Sequence, residues 1–111
     1  MATVQEKIDF LHQKIAKIEM GGGQKRIDKQ HEKGKMTARE RLLKLFDDGN
    51  FTEISQFIKH RCTNFNMQDK NLPGDGVVTG YGTAKGRLVF AYAQDFTVEG
   101  GSLGEMHAHK I

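Results

Sequence analysis

Apolar residues recur early in the chain at Val4, Ile8, Leu11, Ile15 and Ile18, spaced four, three, four and three apart. That period lines one side of a helix, so the pattern predicts an amphipathic helix from about Thr3 to Met20. Its stripe should dock on the body of the protein or on a neighbouring subunit, because two heptads are too few to define a coiled coil. Phe10 lies off the stripe. Gly21-Gly22-Gly23 ends the helix, since three residues without Cβ carry a large helical penalty. A phosphate-cradling loop would need a Lys-Ser/Thr pair at fixed spacing, which is missing, so a hinge or helix stop is favoured. A second, very polar helix is expected over 24–33, stopping at Gly34. Met36 to Phe46 predicts a third helix, opened by Thr37 and Glu40 as a capping box. Leu42, Leu45 and Phe46 form its buried side, and Asp47-Asp48-Gly49-Asn50 ends it.

The second half changes period. Phe51 to Arg61 suggests a short strand or turn, and 64–76, with its asparagines and the lone Pro73, a loop. Gly76 to Thr83 and Arg87 to Ala93 are β-prone runs on either side of Ala84-Lys85-Gly86, which predicts a hairpin. The second run is apolar at consecutive positions and should be covered on both faces, as in a layered α/β fold. Ser102 and Glu105 form a second capping-box pattern, opening a helix that reaches Ile111. The chain thus divides into a helical segment, 1–48, and a segment of first strands and first helix, 49–111.

Composition narrows the function classes. Of 111 residues, 37% are hydrophobic and none is Trp, so the core is thin. No apolar run approaches the roughly 18 residues of a membrane span. The single cysteine, Cys62, and the lack of a signal-type segment point to a cytoplasmic setting. Between Gln24 and Lys44, eight basic side chains stand against three acidic ones, a patch that attracts polyanions or serves as a solvated helix face. A single-strand nucleic-acid platform would interleave these cations with Phe90, Tyr92 and Phe96, and they are not interleaved.

Candidate chemistry is sparse. His107 and His109 are two apart on a predicted helix and face different ways, whereas helical metal ligands sit three or four apart. Asp95 and Glu99 lack a nearby nucleophile or second carboxylate, and Cys62 has only His60 close by, so no catalytic residue is assigned. The Gly100-Gly101 pair before Ser102 leaves backbone N–H groups unshielded at a predicted helix start, a plausible anion or carbonyl contact.

Three ordered blocks carry a resemblance: Gly34-Lys35-Met36-Thr37-Ala38-Arg39-Glu40-Arg41-Leu42, then Gly76-Val77-Val78-Thr79-Gly80-Tyr81-Gly82, then Gln94 through Glu105. Together they resemble the start of the biotin-dependent acyl-CoA carboxyltransferases of the propionyl-CoA carboxylase and methylmalonyl-CoA decarboxylase type. Glu99 before the glycines leans toward the decarboxylase branch. The resemblance implies a crotonase-like ββα superhelix, here incomplete, that binds acyl-CoA while a carrier brings biotin. Carboxyl then moves between the biotin ring nitrogen and the acyl α-carbon, with backbone N–H groups stabilising the anions formed. It also implies further carboxylase or decarboxylase subunits and a homo-oligomer when complete. The family's glycine-rich oxyanion segments come after the position of Ile111, so the chain is expected to be a fragment or one piece of a split subunit, inactive alone. Gly100, Gly101 and Ser102 are the residues expected near CoA. Lys35, Arg39 and Arg41 could face its phosphates, and Arg39 and Arg41 could equally brace the subunit through ion pairs. A non-catalytic interaction module docking on a partner enzyme is the alternative.

Overall fold

Thr3 opens α1 (Val4–Glu19) in the computed structural model, which describes all 111 residues. Its hydroxyl accepts the Glu6 N–H and the Glu6 carboxylate accepts the Thr3 N–H, both at 3.1 Å. This is a complete capping box that the hydrophobic pattern did not single out. The apolar stripe is only partly used, with Ile15 and Ile18 half-buried while Val4, Ile8 and Leu11 are exposed. The triple glycine then lets the chain turn tightly onto the sheet side: a Cβ on Gly22 would overlap the Thr97 carbonyl. The Gly22 N–H donates to Thr97 Oγ1 at 3.0 Å, and Arg26, in α2 (Gln24–Glu32), donates to the Thr97 carbonyl at 3.1 Å.

Only half of the expected capping box forms at α3 (Ala38–Leu45). Thr37 accepts the Glu40 N–H at 3.3 Å, but the Glu40 carboxylate turns instead to His31 Nε2 at 2.7 Å. That partner holds the Glu40 carboxyl below its ordinary value. Ala38, Leu42 and Phe46, spaced by four, form the buried row, whereas Leu45, expected inside, is 50% exposed.

The sheet has the order β1-β2-β3, antiparallel throughout, from β1 (Phe51–Ile54), β2 (Val77–Ala84) and β3 (Arg87–Gln94). The β2–β3 hairpin closes through Lys85 and Gly86 with φ of 51° and 75°, both in the left-handed region that a two-residue turn of this kind requires. Asp47, just after α3, accepts both turn N–H groups at 2.9 Å, and these bonds hold its carboxyl below the usual value. Glycine also shapes the sheet: a Cβ on Gly82 would overlap the Asn50 carbonyl, so β1 reaches β2 only because that side chain is missing. Phe46 and Phe51 stack there, 5.4 Å between centroids and 14° between planes.

The core is Ala38, Leu42 and Phe46 against Val78, with Phe51, Val89, Ala91 and Ala93 around it. β2 is buried along most of its length, as a central strand should be. β3 departs from the expectation of cover on both faces: Val89, Ala91 and Ala93 lie toward α3, while Leu88, Phe90 and Tyr92 are exposed. The cause is the single layer of helix, which covers one face of the sheet only.

α4 (Glu105–Lys110) also departs from expectation. Ser102 does not cap it; its hydroxyl donates back to the Glu99 carbonyl at 2.7 Å, and Gly104 occupies the cap position. Glu105 pairs with Arg61 instead. The helix is held by His107, fully buried, whose N–H donates to Asp75 Oδ2 at 2.8 Å.

Candidate functional site

The segment leaving β3 is braced from below and open above. The Asp95 N–H donates to the Gly76 carbonyl at 2.7 Å, and Asp95 Oδ1 accepts the Thr97 N–H at 2.9 Å and the Thr97 hydroxyl at 2.5 Å. Asp95 is therefore committed to holding the loop. Thr97 and Val98 are buried beside it, and Phe96 stands out, 64% exposed. Glu99, Gly100 and Gly101 follow with φ of 45°, 62° and 77°. Within this turn the Gly101 N–H donates to the Val98 carbonyl at 2.9 Å and the Ser102 N–H to the Glu99 carbonyl at 3.2 Å. Those two donors are spent inside the turn. The Glu99 carboxylate meets the Lys70 ammonium at 3.2 Å.

Two open hollows flank Phe96. One, of about 440 Å³, is walled by Arg26, Lys29 and Lys33 of α2 and by Phe96, Glu99 and Gly100. The other, of about 500 Å³, is walled by Lys35, Arg41, Leu42 and Leu45 on one side and by Tyr92, Gln94 and Phe96 on the other. Gln30, Phe96 and Thr97 are common to both. Lys35 and Arg41 are thus brought beside the loop, whereas Arg39 points away. Arg39 forms a two-toothed ion pair with Glu53 of β1 at 2.5 and 3.1 Å, both side chains mostly buried. Gly100 lies on the α2 side, and Ser102 lines neither hollow.

Under the loop, His107 joins α4 to the hairpin. Its Nδ1–H donates to the Asp75 carbonyl at 2.8 Å, which leaves Nε2 to accept from the Gln94 amide at 3.2 Å. Lys110 donates to the Gly74 and Val77 carbonyls at 3.0 and 2.7 Å, and burial pushes its ammonium below the ordinary lysine value. Sequence reasoning missed His107, because its partners lie far away in the chain and nothing adjacent to it announces them. The same reasoning passed over Arg26, Lys29 and Lys33 as site residues, although their helical spacing put them on one face.

Cys62 is exposed and has no free base beside it. His60 Nδ1 accepts the Cys62 N–H at 3.1 Å and its Nε2–H donates to the Lys70 carbonyl at 2.8 Å, so neither ring nitrogen is free to take the thiol proton. No three His, Cys, Asp or Glu side chains converge as a metal site, and no helix is long and apolar enough to cross a membrane.

An antiparallel sheet backed by one helix layer, feeding a glycine turn and a helix locked to the strand ends, corresponds to about a fifth of the crotonase-like carboxyltransferase fold. Residues 29–111 match the model of the carboxyl transferase domain, and the chain belongs to that family. The alpha subunit of methylmalonyl-CoA decarboxylase from Veillonella parvula is 72% identical over 111 residues, covering 100% of this chain and 22% of that protein. The propionyl-CoA carboxylase beta chain of Roseobacter denitrificans is 54% identical over 108 residues, 97% of this chain and 21% of that protein. Transcarboxylase 12S, solved as a hexamer with hydrolysed methylmalonyl-CoA bound, superimposes with a TM-score of 0.97 at 49% identity, over 100% of this chain and 22% of that one. The chain therefore spans about a fifth of the length of the relatives it matches.

Proposed function

We propose that this chain supplies the amino-terminal part of a carboxyltransferase subunit that moves a carboxyl group between biotin and the α-carbon of an acyl-CoA of the propionyl or methylmalonyl type. The observation that carries the reading is 72% identity across every residue of this chain to a methylmalonyl-CoA decarboxylase alpha subunit. The decarboxylase branch is favoured by the same figure against 54% for the carboxylase chain. In this reading the loop from Phe96 to Ser102 and the cations beside it form one wall of the CoA site, in a cytoplasmic enzyme assembled from several copies and a biotin carrier.

The chain's own part is binding and positioning. Gly100, Gly101 and Ser102 bring a side-chain-poor surface close to the thioester ligand, and Lys35 and Arg41 supply charge for its phosphates. Arg39 serves through its bond to Glu53 by fixing the start of α3 on β1. Biotin, when bound to its carrier, supplies the nitrogen that accepts or releases the carboxyl group. The chain covers 22% of the decarboxylase subunit it resembles, and none of its residues is assigned to biotin. Carboxyl transfer accordingly needs residues beyond the ones described.

Equilibrium dialysis with methylmalonyl-CoA and propionyl-CoA tests the reading. Saturable binding that free CoA displaces is expected, with no carboxyl exchange by the chain alone. Absence of any thioester binding, with tight salt-sensitive binding of an oligonucleotide, would overturn it.

A further inference from the structure

We infer that the cleft between α1 and residues 59–71 receives an acidic segment of a separate polypeptide, held by its carboxylates and by one apolar side chain laid against Phe10. The cleft encloses about 730 Å³. Phe10, Gln13, Lys14 and Lys17 line it from α1, and their spacing of three, four and seven residues puts them on one face of the helix, turned away from the apolar stripe. Phe10, which has no place on that stripe, stands at the head of the cation row with its ring 67% exposed. Across the cleft Lys59, Arg61 and Lys70 add three positive charges, and Asp69 is the one carboxylate in the wall.

Much of that charge is uncommitted. Arg61 and Lys70 are shared with Glu105 and Glu99, whereas Lys14, Lys17 and Lys59 have no ion-pair partner in the chain. Lys14 rests 5.9 Å from the centre of the Phe57 ring, a contact that steers the ammonium without neutralising it. The far wall is already tied in place: His60 Nε2–H donates to the Lys70 carbonyl at 2.8 Å, and the Arg61 and Lys70 ion pairs fasten the same segment to α4 and to the glycine turn. An incoming ligand therefore meets a formed surface and orders little on binding.

The lining selects the occupant. A single nucleic-acid strand would want aromatic rings between the cations, and the wall has one ring, at its end. Gln13, Gln68 and Asn71 offer amides that pair with a peptide backbone. A second copy of this chain has little free acid to offer. Residues 45–58 and 88–109 carry carboxylates without Lys or Arg, but Asp47, Glu53, Asp95, Glu99 and Glu105 are each bound within the chain. Charge complementarity and the exposed Phe10 anchor together fit an acidic segment from another polypeptide.

The test titrates the full chain, by fluorescence anisotropy, with a labelled peptide of about ten residues, a leading Leu followed by Glu and Ser, long enough to follow two turns of α1. Lys14→Gln/Lys17→Gln should weaken binding about tenfold and flatten its salt dependence. Phe10→Ala should weaken it several-fold with the salt dependence unchanged, and replacing the peptide's Leu by Ser should cost that variant nothing further. Lys29→Gln/Lys33→Gln, which removes the same charge from α2, should bind as the parent does. All five positions are exposed, and circular dichroism verifies that the variants remain folded. Equal loss in the two double variants, or no peptide binding by the parent, would overturn the inference. So would tighter binding of an oligothymidylate of equal charge through Lys14 and Lys17, or dimerisation that their replacement abolishes. Thioester binding is read separately, and none of these outcomes decides it.

Discussion

Replacing His107 by Ala removes a ring with no solvent exposure and breaks two bonds at once, to the Asp75 carbonyl and to the Gln94 amide. The vacated space costs part of the transfer free energy of the ring, and the Asp75 carbonyl, left buried without its partner, costs about 1–3 kcal/mol, while the exposed Gln94 amide turns to water. Together the loss should be about 3–5 kcal/mol, against a total of about 5–15 kcal/mol for a domain of this size. His107→Leu keeps most of the volume and loses only the bonds, so it should cost about 2–3 kcal/mol. The assay is urea unfolding followed by circular dichroism, joined to amide exchange at Ala108 and Ile111, whose N–H groups bond to the Gly104 and His107 carbonyls. Both readouts should move together. An unchanged urea midpoint, with fast exchange confined to α4, would refute this coupling, because α4 would then open by itself and His107 would not join it to the sheet.

Other outcomes follow from the same geometry. Gly82→Ala should destabilise the chain by several kcal/mol and erase the β1–β2 exchange protection, since its Cβ would overlap the Asn50 carbonyl; wild-type protection in the variant would show that β1 can sit farther out. Glu53→Gln leaves Arg39 without its charged partner in a mostly buried position and should cost about 1–3 kcal/mol in urea, with Arg39→Met/Glu53→Met recovering part of the loss. Asp47 is lowered by the Gly86 and Lys85 N–H bonds, so its contribution is present above the ordinary carboxylate pKa and disappears as pH falls through its lower folded value. Exchange at Lys85 and Gly86 should accelerate over that acidic range in the parent. In Asp47→Asn it should show no such step, and an identical acid profile in both would contradict the assignment.

How far the sequence disclosed this molecule depended on the range of the interaction. The hairpin was legible because its turn is local: β-prone runs around Lys85-Gly86 can close in few ways. The helices were legible from spacing, and α3 showed its cap at Thr37. Where a side chain had two offers, the local rule failed. Glu40 chose His31 over the cap N–H, Glu105 chose Arg61, and Ser102 bonded backward to Glu99. Cover on both faces of β3 was inferred from its apolar run, which fits a strand with layers on each side, but this chain provides one layer. The candidate site showed in the sequence as a glycine turn and a surplus of positive charge. Which cations face the loop was not, because that depends on how Gly22 and Arg26 dock on Thr97, residues more than seventy positions apart.

Photolabelling with a CoA analogue that carries its reactive group on the adenine tests the whole account most directly. The crosslinks should fall between Phe96 and Ser102 and along α2, and an excess of methylmalonyl-CoA should abolish them. Label concentrated instead in the basic cleft between α1 and residues 59–71, or label that the thioester does not suppress, would contradict the claim that this loop forms the wall of an acyl-CoA site.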